Sequence, residues 1–227
     1  MLDKFPRVRE LIQPSKTPPA KVTDRPRPMR FILKLLLCCL LAGAAGIAYM
    51  AMRSGDTVYT IHEWLSPQRF QQHDALIREV AAQHGIDPML VKAVVWRESR
   101  FDAHKFGTAG ERGLMQVSER AAQEWARENQ IRNFQVEELF DPKVNVQAGT
   151  WYLSRALAHW REQTDPIPFA LAEYNAGASR AQRWAGGTEA GIVPPDTFRE
   201  NIDFPGTRKY VESIMARYAF YRQRGSM

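Results

Sequence analysis

Glu98 is the side chain around which chemistry can be built in this chain. With Val91, Val94 and Val95 it falls at i, i+3, i+4 and i+7 of one helical stripe. A carboxylate that extends a core-facing stripe is partly desolvated. Near the C-terminal end of its helix it also meets the negative end of the dipole, and both effects favour the protonated form. Moving a glutamate from about 4.3 to about 6 needs roughly 2 kcal/mol of differential destabilisation of the charged state, which partial burial can supply. Such a group can release a proton near neutral pH and recover it. Arg97 and Arg100 oppose the shift if they reach it, and the competing reading is an ordinary Glu–Arg pair at a frayed helix end.

Two later segments carry groups suited to a sugar. In GTAGERGLMQ, Gly107, Gly110 and Gly113 recur every third residue and permit sharp turns and close backbone approach. With no Gly-Lys-Ser/Thr ending and no strand before it, the segment is not a phosphate loop. Leu114, Met115 and Gln116 set an amide beside an apolar pair. In EYNAG, Tyr174 and Asn175 place a phenol and an amide at a helix C-terminus, with Gly177 expected as a left-handed cap; pure capping is the alternative. The motif NVQAGTWYL, 145–153, has Gly149 inside a helix, where glycine costs about 1 kcal/mol relative to alanine, so it is assigned to packing at a close helix crossing. The tryptophans at 96, 125, 151, 160 and 184 sit at helical positions and are mostly core.

These groups require helices to position them. Asp87-Pro88 starts one, with Asp87 as cap and Pro88 in the first turn. The patterns predict helices near 69–84, 88–99, 118–128, 143–162, 167–176, 179–185 and 207–222, punctuated by Gly85, Asp141-Pro142, Asp165-Pro166, Gly177 and Pro205-Gly206. No alternating strand signal and no repeat occurs, so the domain is expected to be all-α or nearly so. Residues 186–205 read as a long irregular insert of the kind that often binds.

The 227 residues leave room for one well-buried domain, 69–227. The net charge of +6 is concentrated at the N-terminus: residues 1–53 carry ten Lys/Arg against Asp3, Glu10 and Asp24, while 54–227 carry 21 basic and 22 acidic side chains. A near-neutral globular part argues against nucleic acid. Phe31 to Met52 is an apolar run of 22 residues broken by Lys34, about 33 Å long as a helix and sufficient to cross a bilayer. The basic, proline-rich residues 1–30 read as a disordered cytoplasmic tail, a candidate site for a protein partner. By the excess of inside Lys/Arg, residues 31–52 form a single membrane helix with the N-terminus inside. Residues 53–68 read as a linker. A cleaved signal peptide ending near Ala42-Gly43-Ala44 is the competing reading, and it too exports the folded part. Cys38 and Cys39 are adjacent within the apolar run, and the five histidines show no ligand spacing, so neither metal nor cofactor is expected.

Taken in order, Glu98-Ser99, GxxGLMQ at 110–116, NxxxGxxYL at 145–153, AxYNAG at 172–177 and TRKYV at 207–211 resemble the catalytic domain of the soluble lytic transglycosylase family over roughly residues 70–222. The resemblance implies a lysozyme-like fold and cleavage of the β-1,4 bond between N-acetylmuramic acid and N-acetylglucosamine in peptidoglycan; the charge bias, independently of it, places the domain outside a bacterial inner membrane. The resemblance also implies that Glu98 is the one catalytic carboxylate, with a 1,6-anhydromuramyl product. It further implies that Gln116, Tyr174, Asn175 and Glu200 line the cleft with the backbone near Met115, that Ser99 and Tyr210 support Glu98, and that Arg208 braces the loop. This chain departs from the family pattern at Gly107, where a serine is usual, at Glu111-Arg112, where a small pair is usual, and at Ala178-Ser179, where Pro-Gly is usual. Two other readings stand beside it. One is a lysozyme- or chitinase-type hydrolase with Asp102, Glu111 or Glu200 as second carboxylate; the other is a glycan-binding scaffold without catalysis.

Overall fold

A computed structural model describes residues 28–53, 56–187 and 191–225; most of the sequence-read tail lies outside these. The chain divides into two units, residues 1–44 and 45–227. Helix α1, Pro28–Arg53, contains a 21-residue stretch, Met29–Tyr49, long and apolar enough to cross a membrane. Its leucines are exposed.

The second unit is helical throughout, with no strand among the described residues and two isolated bridges, Phe106 with Arg112 and Arg112 with Val117. Its helices are α2 (Thr57–Leu65), α3 (Pro67–Gln71), α4 (Asp74–Gln83), α5 (Pro88–Ser99), α6 (Glu119–Glu128), α7 (Pro142–His159), α8 (Ile167–Ala176), α9 (Ala178–Trp184), α10 (Pro195–Asn201) and α11 (Pro205–Arg224), with a 3-10 turn at Val136–Phe140. The expected all-α class is what forms.

Helix α5 is the axis of the core. The Asp87 carboxylate accepts the Met89 N–H and Pro88 opens the first turn, as the sequence indicates. Leu90, Val91, Lys92, Ala93, Val94, Val95 and Trp96 are all buried, so the helix is surrounded rather than laid on a surface. Helices α4 and α11 pack against it, and α8 is held between α7 and α11. Trp96, Trp125, Trp160 and Trp184 are core residues.

Three local expectations are corrected. The predicted helix 69–84 is two helices, α3 and α4, separated at Gln72-His73. The stretch 53–68 is not a bare linker: α2 buries Thr60 and Glu63, which bind the fully buried Arg217 of α11. The 186–205 insert is not irregular throughout, because α10 forms within it and drives Phe198 into the core, stacked on Phe169 with ring centroids 3.9 Å apart. One buried aromatic in a seven-residue helix leaves no periodicity to detect, which is why it escaped the pattern. Truncating Phe198 to alanine is expected to lower stability by about 3–5 kcal/mol, measured by urea denaturation; an effect below about 1 kcal/mol would show that α10 is not part of the core.

Candidate active site

A cleft of about 560 Å³ opens beside the C-terminal end of α5 and is lined by Glu98, Lys105, Gly107, Glu111, Gln116, Tyr174 and Asn175, among others. Glu98 is partly buried, and its Oε1 accepts a 2.6 Å hydrogen bond from the hydroxyl of Tyr210 on α11. Burial pushes its carboxyl up to about 7, with the nearby Glu111 charge adding to the rise; the Tyr210 hydrogen bond, Lys105 and Arg97 pull the other way. Desolvation therefore outweighs three opposing contacts. Burial first, and the facing Glu98 charge second, keep the Tyr210 and Tyr174 phenols protonated well above their ordinary range.

The helix dipole has a smaller part than its position suggests, since the end of α5 is capped by cations. Lys105 Nζ donates to the Glu98 carbonyl, Arg100 donates to the Trp96 carbonyl, and the Ser99 hydroxyl donates to the Val95 carbonyl at 3.3 Å. Arg100 pairs with Asp56 at 3.0 Å instead of Glu98. No Glu98–Arg ion pair thus forms among the described residues.

The floor of the cleft is the 113–117 loop, held by α7. Asn145, fully buried, accepts the Met115 N–H at 2.7 Å and donates to the Arg112 and Leu139 carbonyls. A Cβ on Gly113 would lie 2.3 Å from the Asn145 amide, and one on Gly149 would lie 2.6 Å from the Met115 sulfur. Gly149 therefore admits the Met115 side chain rather than a crossing helix, which corrects its sequence assignment. Gln116 adopts a left-handed φ of 46° and donates from Nε2 to both the Lys105 and Gly113 carbonyls, each at 3.0 Å. Its donors are consumed inside the loop, so it presents an acceptor to the cleft.

On the opposite wall, the Tyr174 hydroxyl donates to the Met115 carbonyl at 2.9 Å. Asn175 Oδ1 accepts from Thr207 at 2.8 Å, which leaves its amide N–H groups as donors at the wall. Gly177 ends α8 with φ 89° and ψ 154°, an extended glycine conformation rather than the expected left-handed helical cap.

The sequence-derived residues thus fall into three groups. Glu98, Gln116, Tyr174 and Asn175 meet in the cleft. Ser99, Met115 and Tyr210 are buried behind it, in contact with α5, Tyr174 and Glu98 respectively. Glu200 is exposed on α10 and is not brought to the cleft, although its carbonyl accepts from Arg208, which also donates to the Ile202 carbonyl as a loop brace would.

Residues 75–191, just over half of the chain, match the family described as the transglycosylase SLT domain. The chain belongs to this family. Among relatives, it is 28% identical over 151 residues to a soluble lytic murein transglycosylase of Escherichia coli (strain K12), covering 66% of this chain and 23% of that protein. It is 33% identical over 112 residues to a membrane-bound lytic murein transglycosylase F of Desulfosudis oleivorans, covering 48% of this chain and 23% of the relative. The solved 70 kDa soluble lytic transglycosylase of Escherichia coli superposes with a TM-score of 0.60 at 28% identity, covering 66% of this chain and 24% of that one. A complex of the 70 kDa enzyme with bulgecin A gives 0.65 at 26% identity, over 74% and 27%. The chain spans about a quarter of the length of these relatives.

Within this SLT domain the sequence motifs did not disclose Lys105, Ser118, Arg120 or Glu124, and the motif that holds Tyr152 was assigned to packing, yet all five line the cleft. Tyr152 was within reach, since it lies seven residues after Asn145 on the face of α7 that holds the loop, and its ring meets Tyr174 edge-on at 5.5 Å. Lys105 sits on a connector and Arg120 and Glu124 on the polar side of α6, where a charged residue carries no sign of a cleft.

Tyr210 and Glu111 act on Glu98 with opposite sign. Tyr210→Phe is expected to raise the carboxyl titration above about 7, and Glu111→Gln to lower it, each readable by carboxyl NMR; shifts of the same sign would refute the assignment. Because the folded value of Glu98 lies above its ordinary 4.5, folding loses stability as pH rises from about 4.5 to about 7 and gains none of it back above that. Glu98→Gln is therefore expected to be more stable than the parent at pH 8 and equal to it at pH 4, as measured by thermal melting.

Proposed function

We propose that this chain is a peptidoglycan lytic transglycosylase in which Glu98 acts alone as acid and then base. The observation that carries the reading is a partly buried carboxyl at about 7, hydrogen-bonded to Tyr210 and facing a cleft large enough for sugar units. Family membership and the named activities of the relatives support it.

In this mechanism the protonated Glu98 gives its proton to the glycosidic oxygen between N-acetylmuramic acid and N-acetylglucosamine as the bond to the anomeric carbon breaks. The substrate's own N-acetyl oxygen stabilises the positive charge that develops there. Glu98, now a carboxylate, takes the proton of the muramyl C6 hydroxyl as that oxygen bonds to the anomeric carbon, closing a 1,6-anhydro ring. The proton count returns to its start and no water is consumed. The Gln116 acceptor and the Asn175 donor complement the N–H and C=O of an N-acetyl group. Tyr174, tied to the Met115 carbonyl, sets the spacing between them. Ser99 and Tyr210 serve as supports, and Glu200 has no part in the cleft.

The apolar helix and relatives named as membrane-bound support an inner-membrane anchor with the N-terminus inside and the SLT domain on the periplasmic side, against the glycan strands. The N-terminal tail is then left to a partner in the cytoplasm.

Hydrolysis is the second reading, because Glu111 stands in the same cleft as Glu98 and can serve as a second carboxylate. Asp102, which caps the His104 N–H, and Glu200 are not brought there. Digestion of purified sacculi followed by mass spectrometry separates the two. Anhydromuropeptides are expected, and Glu98→Gln should reduce their formation at least about 100-fold; reducing-end products lost on Glu111→Gln would replace lysis by hydrolysis.

A further inference from the structure

The turn that follows Glu98 and Ser99 is strained: Arg100 and Phe101 both have positive φ, 56° and 62°, a conformation that non-glycine residues avoid. Strain of this kind persists where neighbours over-determine it, and the neighbours here come from residues 56–70. Arg100 is held by Asp56 at 3.0 Å and lies over the Tyr59 ring at 4.7 Å. Phe101, 1% exposed, packs edge-on against Phe70 at 5.5 Å.

The same segment governs the other side of the catalytic helix. Arg217, fully buried, donates to Glu63 at 2.9 Å and to Thr60 at 2.7 Å. The Arg100 and Arg217 guanidiniums lie over the Trp96 ring, at 3.7 and 4.0 Å from its centroid. The Trp96 indole N–H is buried without a hydrogen-bond partner among the described residues, so the ring is fixed by these cations and by packing. Trp96 is two residues before Glu98, and Arg217 is seven residues after Tyr210, on the same face of α11. The buried Arg217 and the partly buried Arg100 each need their counter-group to stay in place.

We propose that residues 56–70, directly after the apolar helix, are a positioning element for Glu98: by holding Arg100, Arg217 and the strained turn they set how closely the carboxyl is shut against Tyr210. The importance of this for catalysis rests on Glu98 being the acid of the proposed function, but the geometry can be tested without substrate. Asp56→Asn keeps a side chain able to cap α2 at the Tyr59 N–H while removing the charge that faces Arg100. Tyr59→Ala removes a 40% exposed ring and leaves the charges in place.

The experiment is carboxyl NMR titration of Glu98 in the full chain in detergent, with wild type and both variants, alongside thermal melting. The groups facing Glu98 are Tyr210 and Tyr174, Lys105, Glu111 and Arg97, and the substitutions leave all of them unchanged. Loosening the turn admits water to the carboxyl, and any Arg100 released toward it acts in the same direction. The expected result is a titration lowered by about half a unit or more in each folded variant, equivalent to roughly a threefold change in the protonated fraction at the alkaline end. Titrations equal to wild type in folded variants would overturn the proposal, as would loss of folding in both, since 56–70 would then serve the fold and not the acid. If sacculus digestion yields no anhydro product while the titrations shift, the proposed function fails and the positioning role stands.

Discussion

The hydrogen bond from Tyr210 to Glu98 joins residues 112 positions apart across the seam of α5 and α11. It lets a carboxyl stay in a largely dry place without an ion pair to an arginine, although Arg97 acts on it from nearby. A cation there would hold the group ionised; a purely apolar wall would leave its oxygen without a partner. A phenol satisfies the oxygen in either protonation state, donating to the carboxylate and to the carbonyl oxygen of the acid. The surrounding basic residues are consequently directed elsewhere: Lys105 and Arg100 to main-chain carbonyls at the end of α5, Arg217 to Glu63 and Thr60, and Lys92 to Asp74.

The floor of the cleft obeys a second constraint, close approach of the Asn145 and Met115 side chains to glycine main chain. Asn145 supplies three hydrogen bonds to the 112–115 loop and the 139 carbonyl, and the glycines at 113 and 149 remove the atoms that would keep loop and helix apart. The Met115 carbonyl, so placed, orients Tyr174, and the doubly anchored Gln116 amide can turn only its oxygen outward. Two polar side chains at the wall thus acquire fixed and complementary roles from a scaffold none of whose members need touch a ligand.

How much of this the sequence disclosed depended on whether a residue's role was periodic or positional. The buried stripe of α5, its Asp87 cap and the placing of Glu98 follow from spacing alone, because helix geometry carries that information locally. Gln116, Tyr174 and Asn175, which residue type and resemblance both pointed to, lie in one cleft with Glu98, and Tyr210, named through resemblance alone, lies behind it with its hydroxyl on Glu98. The segment 56–65 misled because its inward-facing residues are polar: Thr60 and Glu63 are buried for the sake of Arg217, which lies 157 and 154 positions away, and no local pattern signals a partner so distant. Helix α10 was missed for lack of repeat, and Glu200, assigned to the cleft by analogy, lies outside it because α10 is anchored inward by Phe198.

Gly107 and Glu111 are two of the three places where this chain leaves the family pattern, and the structure makes them one. A Cβ at 107 would stand 2.3 Å from the Glu111 carboxylate oxygen, which accepts the Ala109 N–H, and 2.9 Å from the Gln116 oxygen. The acidic side chain occupies the volume that any larger residue at 107 would claim. The two departures are therefore coupled in one direction: bulk at 107 must push the Glu111 carboxylate off the Ala109 N–H, whereas a shorter residue at 111 meets no obstacle from Gly107.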